Sequence, residues 1–366
     1  MKILFELFSF AIPMIIFAWV LPKRYVLLSQ IIITGLFIVY KSPLSFTILT
    51  ITAFGNYFLL YYSTFKKSVK ISISLIFLVS LFYVVKILFT MHSDWIFPLG
   101  ISYYVLKNAH YTLEFYKGKL YDKSLLFYLG YNFFLPVFLV GPINRYPEFI
   151  KDWQRRRFNT EYFSSGIERV LYGLSKVLIV GNYLCTFLLQ HIIDKMDRHH
   201  GWLKVYLNAL RGTFNGYFQF AGYSDMAIGI SLMLGFRIME NFNYPFLATN
   251  MAEFWRRYHI SLSSFCRDYI YTPITAYYRK PLFGIIATML AIGLWHEISV
   301  RYLIWGLLQA AGVYLSSFFR SKPKSIIAIN LGRFYCINYY ALTSIVLAYD
   351  HLPDAWNAYK TLFLIK

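Results

Sequence analysis

Between residues 241 and 271 the chain gathers side chains able to do acid–base and anion chemistry. These are Asn241, Asn243, Arg256, Arg257, His259, Ser261, Ser263, Arg267 and Asp268, with His296 further on. They interrupt apolar segments that otherwise read as membrane spans. Polar groups at bilayer depth are costly unless paired or lining a wet cavity, so a cluster this dense points to a site. If the stretch from Glu253 to Tyr271 is one helix ended by Pro273, Arg256, His259, Ser263 and Arg267 fall three, four and four residues apart. That spacing predicts a single polar face. Trp255, Tyr258, Leu262, Phe265 and Tyr269 form an aromatic seam beside it.

Two arginines flanking an imidazole favour an anionic ligand and disfavour the protonated ring. Such a face suits a phosphate-bearing or thioester compound, with a neutral histidine free to accept a proton. The same periodicity also describes an interfacial amphipathic helix whose arginines reach lipid phosphates. Both readings stay open on spacing alone. His296 sits in Gly293-Leu294-Trp295-His296-Glu297, near the centre of the apolar stretch from Pro281 to Phe319. A histidine buried there needs a polar partner or a chemical role, and a satisfied core residue is the plainer alternative. Glu297 and Arg301, four apart, have the order of an intrahelical ion pair. Asp225, just ahead of the apolar run from Met226 to Phe236, reads as an N-terminal helix charge. No nucleophile elbow, phosphate-binding glycine loop, dinucleotide fingerprint or metal-binding spacing occurs, and the adjacent His199-His200 is a weak metal motif.

The elements that must hold these groups are helices in lipid. Of 366 residues, 58% are hydrophobic, 21% aromatic and 14% charged, and mean hydropathy is +0.49. This composition excludes an ordinary soluble domain. Apolar runs near 4–21, 44–62, 71–89, 124–140, 166–189, 283–295, 300–319 and 325–347, with shorter ones at 25–40 and 222–236, predict an all-α polytopic membrane protein. Roughly ten to twelve embedded elements are expected by window length. Segments 97–160 and 241–280 are mixed enough to be partly re-entrant or interfacial. The net charge of +19 lies largely in short connections such as Lys23-Arg24, Lys66-Lys67-Lys70 and Arg155-Arg156-Arg157. That placement argues for a membrane surface and anionic lipid, not nucleic acid. The alternation of the first basic loops suggests an outer N-terminus. The first segment reads as a retained span. Cys185, Cys266 and Cys336 have no disulfide or metal spacing and read as small buried hydrophobes. With no linker or repeat, a single membrane domain is expected over 1–366: scaffold helices 1–95, a core 97–319 and C-terminal helices 320–366.

Several of these motifs resemble the membrane-bound O-acyltransferase (MBOAT) family, nearest to its bacterial alginate O-acetylase-like branch. They are Phe220-Ala221-Gly222-Tyr223-Ser224-Asp225-Met226-Ala227-Ile228-Gly229, Glu240-Asn241-Phe242-Asn243-Tyr244-Pro245, and Phe254-Trp255-Arg256-Arg257-Tyr258-His259-Ile260-Ser261-Leu262-Ser263. Pro98-Leu99-Gly100-Ile101-Ser102 and Gly141-Pro142-Ile143 are further landmarks. The resemblance implies a helical bundle with re-entrant segments and a central tunnel. It implies His296 as essential histidine and general base, His259 as second histidine, and roles in donor or substrate positioning for Arg256, Arg257, Asn241, Asn243, Ser263 and Trp295. It further implies transfer of an acyl group, in this branch acetyl, from a cytosolic thioester to a hydroxyl of an extracytoplasmic cell-envelope glycan. The donor would be acyl-CoA (acetyl-CoA) or an acyl-carrier thioester, with no tightly bound cofactor and no metal. A polysaccharide or an acyl-relay protein would receive the group at the outer face of a bacterial inner (cytoplasmic) membrane. D-alanyl transfer to a cell-wall polymer belongs to the same resemblance. Gln219, Glu297 and Gln309 depart from the family pattern, and bear on acceptor and activity. A transporter or flippase of acyl or glycan intermediates, and a catalytically inert scaffold, are the alternatives.

Overall fold

The computed structural model describes residues 2–91, 100–120, 122–197, 200–318 and 325–365, and among these every regular element is helical. Phe97, Pro98, Leu99, His199 and Phe319 lie outside them, and with them part of the Pro98-Leu99-Gly100 landmark and of the His199-His200 pair. Two compact units share the chain: 1–172 with 224–239, and 173–223 with 240–366.

In the first unit, α1 (Lys2–Val20), α2 (Lys23–Lys41), α3 (Pro43–Tyr62) and α4 (Lys67–Met91) are followed by α5 (Ile101–Tyr116), α6 (Leu125–Asn132), α7 (Tyr146–Arg155) and the start of α8 (Thr160–Ser175). Helices α1 to α4 turn outward such residues as Ile16, Leu36, Ile51, Ile76 and Val79, all largely exposed. Apolar exposure on this scale needs lipid around it. The interior packs apolar side chains such as Met14, Leu27, Phe37 and Phe134 around a polar network. Asn56 on α3, Ser74 on α4, Asn108 and Thr112 on α5, Tyr128 and Asn132 on α6 are all buried. They bond one another, Ser74 Oγ donating to Asn56 Oδ1 at 2.5 Å and Asn108 Nδ2 to Asn132 Oδ1 at 2.9 Å. In hydrocarbon, polar side chains that pair across helices fasten the bundle.

The second unit holds the rest of α8 and a π-helical stretch, Lys176–Leu189, continuing into α9 (Gln190–Asp194). Next comes α10 (Gly201–Met233), whose last part belongs to the first unit. Then follow α11 (Met251–Arg257), α12 (Ile260–Cys266), a π-helical turn Arg267–Tyr271, α13 (Thr272–Tyr278), α14 (Pro281–His296), α15 (Val300–Leu315), α16 (Ile326–Thr343) and α17 (Leu352–Leu362).

Among the described residues, four helical stretches are long and apolar enough to cross a membrane: Lys23–Lys41, Pro43–Tyr62, Lys67–Leu88 and Thr160–Asp194; Glu6–Val20 and Pro281–His296 are apolar but shorter. The span expected over 124–140 is not continuous. Eight-residue α6, about 12 Å long, stops at Asn132, and a 3₁₀ turn at Leu135–Val137 carries Pro136. The short run at 222–236 is instead the end of the 33-residue α10. Asp225 is therefore not an N-terminal charge: it lies inside α10, buried, with Arg169 Nε 2.6 Å away on α8. All three cysteines are buried thiols.

Helices α14 and α15 form an antiparallel hairpin whose backbones nearly touch. A Cβ on Gly293 would fall 2.5 Å from the Tyr302 carbonyl oxygen, and one on Gly306 would fall 2.8 Å from that of Met289. Only hydrogen fits there. Gly293→Val should cost about 1–3 kcal/mol through overpacking, seen as a lower thermal midpoint of the detergent-solubilised protein. Gly212→Ala, with nothing within 4 Å of the added methyl, should stabilise α10 by up to about 0.5–1 kcal/mol and so leave the midpoint unchanged or raise it.

Candidate active site

Residues 241–243 and 257–261 run side by side and clasp. The Asn243 N–H donates to the Arg257 carbonyl at 2.9 Å, and the Ile260 N–H donates to the Asn241 carbonyl at 2.8 Å. Between them the chain turns sharply at His259, whose φ of 46° lies in the left-handed region. A non-glycine residue there costs about 1–3 kcal/mol unless its surroundings hold it. Asn241 does the holding. Its fully buried Oδ1 accepts the Ser261 hydroxyl at 2.9 Å, the Ser261 N–H at 3.3 Å and His259 Nδ1 at 3.0 Å.

That set of bonds fixes a proton. A backbone N–H can only donate, so the Asn241 atom facing Ser261 is the oxygen. His259 Nδ1, meeting the same oxygen, must carry hydrogen. In the neutral ring Nε2 is then a bare lone pair. It is buried and has no hydrogen-bond partner among the described residues. The His259 ring stands edge-on to Phe220 at 4.6 Å and lies 6.0 Å from Trp295.

The continuous helix expected from Glu253 to Tyr271 is therefore broken. The one-face row of Arg256, His259, Ser263 and Arg267 splits, because the turn at His259 swings the imidazole inward. Arg256, Ser263 and Arg267 stay together on the wall of a cavity of about 1310 Å³. Arg279 and Lys280 add two more cations, while Ile285, Met289 and Ile292 of α14 supply an apolar wall. Arg256 and Arg267 are exposed there. Ser263 Oγ donates to the Tyr258 carbonyl at 3.0 Å.

Arg257 is placed otherwise. Its guanidinium donates twice to Glu253, at 2.7 and 3.1 Å, and once to the Asn243 carbonyl at 3.3 Å. Asn250 caps α11 by accepting the Glu253 N–H, and Glu253 reaches back to the Thr249 N–H and hydroxyl. Burial opposes ionisation of Glu253, but these donors and the Arg257 charge hold its pKa below the ordinary carboxylate value. Arg257 and the backbone of the exposed Asn243 thus brace the clasp.

His296 is not buried at mid-helix. It is the last residue of α14, with an exposed ring among Trp295 at 4.8 Å, Tyr302 at 5.8 Å and Trp305 at 6.1 Å. His259 and His296 are within electrostatic reach of each other. Trp305 also lies 5.9 Å from Trp255, a wall residue of the cationic cavity. Glu297 pairs with Arg301 at 3.0 Å, but not within one helix: Glu297 is extended, just past the end of α14, and Arg301 is in the first turn of α15, so the pair spans the turn between them; Arg301 extends to Asp350 at 3.6 Å. Gln309 is a buried strut, accepting Trp255 Nε1 at 3.3 Å and donating to Thr343 at 2.7 Å. Gln219 donates to Asn182 at 2.6 Å on the π-helical stretch. Tyr302 was missed by sequence reasoning, and Trp305, which keeps the family pattern with Gly306, was given no place at the site; an aromatic in an aromatic-rich chain carries no such signal until the hairpin brings it to His296.

Asn241→Leu strands three donors, each worth about 1–3 kcal/mol when buried unpaired. It should lower the thermal midpoint far more than Arg257→Gln, whose loss is one partly exposed pair.

Residues 28–347 match the family model of the membrane-bound O-acyltransferases. The chain is 32% identical over 273 residues to a probable alginate O-acetylase, AlgI, of Azotobacter vinelandii, covering 73% of this chain and 54% of that protein. It is 30% identical to a teichoic acid D-alanyltransferase of Bacillus subtilis (62% and 60% covered). It is 31% identical to a peptidoglycan O-acetyltransferase of Helicobacter pylori (62% and 48% covered). The chain thus spans about half the length of the alginate O-acetylase it matches. With the match running from α2 to the end of the α16 region, this multi-pass membrane protein belongs to the membrane-bound O-acyltransferase family.

Proposed function

We propose that the chain transfers an acyl group, acetyl in the first instance, from a thioester donor to a hydroxyl of a cell-envelope glycan. Its place would be the bacterial inner membrane, with the polysaccharide itself or an acyl-relay protein taking the group at the outer face. The observation that carries this reading is the pairing, in one unit, of a cationic and apolar cavity with two imidazoles. Arg256, Arg267, Arg279 and Lys280 suit the phosphates of acetyl-CoA or of a carrier-bound phosphopantetheine, and the α14 wall suits an alkyl thioester. Trp255, Trp305 and Trp295 form the aromatic path from the cavity to His296 along which a tunnel would run.

In this reading the hydroxyl oxygen attacks the thioester carbonyl carbon while its proton passes to His296. The collapsing intermediate expels thiolate, which takes a proton back. His259, with Nε2 bare and Nδ1 tied to Asn241, is suited to accept a hydrogen bond from the incoming hydroxyl and orient it. Ser263 and Trp295 line the approach, and Asn241, Asn243 and Arg257 hold its shape. The relatives named for alginate, peptidoglycan and teichoic acid modification support an envelope polymer as acceptor class.

The test is O-acetyl content of isolated envelope glycans from cells carrying wild type, His296→Ala or no copy, at matched protein abundance. Acetyl groups dependent on wild type are expected, with the His296→Ala rate down about 10²–10⁴-fold. Equal acetylation in all three would contradict acetyl transfer to those glycans; D-alanyl groups on the same material would then identify the acyl group as different. With purified protein, Arg256→Gln/Arg267→Gln should raise the donor KM about tenfold, the worth of one charge-assisted hydrogen bond, and leave kcat nearly unchanged.

A further inference from the structure

The first unit contains a second cavity, of about 350 Å³, where α7 and its connection to α8 meet the end of α10. It is within the size range of small-ligand clefts, and neither histidine belongs to it. Five cationic side chains, Lys151, Arg155, Arg156, Arg157 and Arg237, line it against two carboxylates, Glu148 and Asp152.

At its centre, Arg156 is a held cation. Its Nε donates to the Leu234 carbonyl at 2.7 Å, its Nη2 donates to the Ala18 carbonyl, and its guanidinium lies 4.0 Å over the Trp19 ring. None of these partners carries a charge. Burial lowers its pKa to about 10, which leaves it cationic at neutral pH. A half-buried charge without a counter-charge is costly unless an anion compensates it. Asp152 is turned elsewhere, its Oδ2 accepting the Arg237 N–H at 2.7 Å. Arg237 itself bonds the Tyr162 hydroxyl and stacks 4.1 Å from that ring.

Lys151, Arg155 and Arg157 are exposed at the rim. Helix α7 buries Tyr146, Phe149 and Trp153 and turns its basic residues outward, as a surface-lying amphipathic helix does. The rim is also greasy on one side. Phe158, 56% exposed, packs edge-on to Trp19 at 5.2 Å, and Val20, next to Trp19, is 73% exposed.

We propose that this cavity binds the phosphate of an anionic phospholipid headgroup. Arg156 and the exposed Lys151, Arg155 and Arg157 hold the phosphate, and the lipid stem lies against Trp19, Val20 and Phe158. The site pins the α7–α8 connection to the ends of α1 and α10, so its occupancy stabilises the fold by mass action. This assignment stands whether or not the second unit transfers acyl groups.

The test is the thermal midpoint of the purified full chain in neutral detergent. The titrants are dioctanoyl phosphatidylglycerol, dioctanoyl phosphatidylcholine and inorganic phosphate. Phosphatidylglycerol should raise the midpoint saturably. Lys151→Gln/Arg155→Gln/Arg157→Gln should weaken its apparent affinity about a hundredfold, at roughly fivefold per cation. Lys66→Gln/Lys67→Gln/Lys70→Gln removes equal charge outside the cavity and should leave the affinity unchanged. Phosphatidylcholine stabilising as well as phosphatidylglycerol, or equal losses in the two triple variants, would overturn the site. Inorganic phosphate binding more tightly than the lipid would overturn the lipid assignment and assign the cavity to a free phosphate compound.

Discussion

One amide oxygen sets the geometry on which the second unit's chemistry depends. Asn241 Oδ1 collects the Ser261 N–H, the Ser261 hydroxyl and His259 Nδ1 in a fully buried place. An acceptor with three donors in low dielectric is strongly held, and removing it strands all three. The bonds make a left-handed turn tolerable at a residue that is not glycine, end α11, start α12, and choose the tautomer of the imidazole. Without the clasp, the stretch would relax toward the single helix that its apolar spacing favours, and His259 would lie on the cavity face with Arg256 and Arg267.

The turn separates two functions that a continuous helix would merge. Charge recognition stays on the cavity wall, where Arg256 and Arg267 can reach an anion through solvent-exposed guanidiniums. Proton chemistry moves inward, where Phe220 and Trp295 flank an imidazole with one committed nitrogen and one bare. The α14–α15 hairpin brings the other imidazole. Gly293 and Gly306 let the backbones close, and that closeness places Tyr302 and Trp305 beside His296. Residues remote from any ligand thereby fix the distances that matter.

Much of this was legible in residue types. The polar cluster and the long apolar helices of the first unit follow from composition and spacing, since these signals are local; the Glu297–Arg301 spacing gave the partners but not their setting, a turn between helices and not one helix. What misled was also local. Periodicity over Glu253 to Tyr271 speaks for a helix, and nothing within that stretch announces a break, because the acceptor that makes it is Asn241. His296 looked central to an apolar run, yet α14 ends on it: the Glu297-Ile298-Ser299 turn, with Ser299 capping α15, outweighs hydropathy. Asp225 looked like a helix start because the chain turns apolar after it, whereas Arg169, 56 residues earlier, supplies the charge that lets it sit inside α10. Long-range partners are what spacing cannot carry.

The most direct measurement is the 15N NMR signature of His259 in membranes, assigned by its disappearance in His259→Gln. With Asn241 Oδ1 accepting from Nδ1, the ring is expected to be neutral at neutral pH, with hydrogen on Nδ1 and Nε2 unprotonated, and to turn to a mixed or reversed tautomer in Asn241→Leu. A doubly protonated ring, or hydrogen on Nε2 in the wild type, would contradict it.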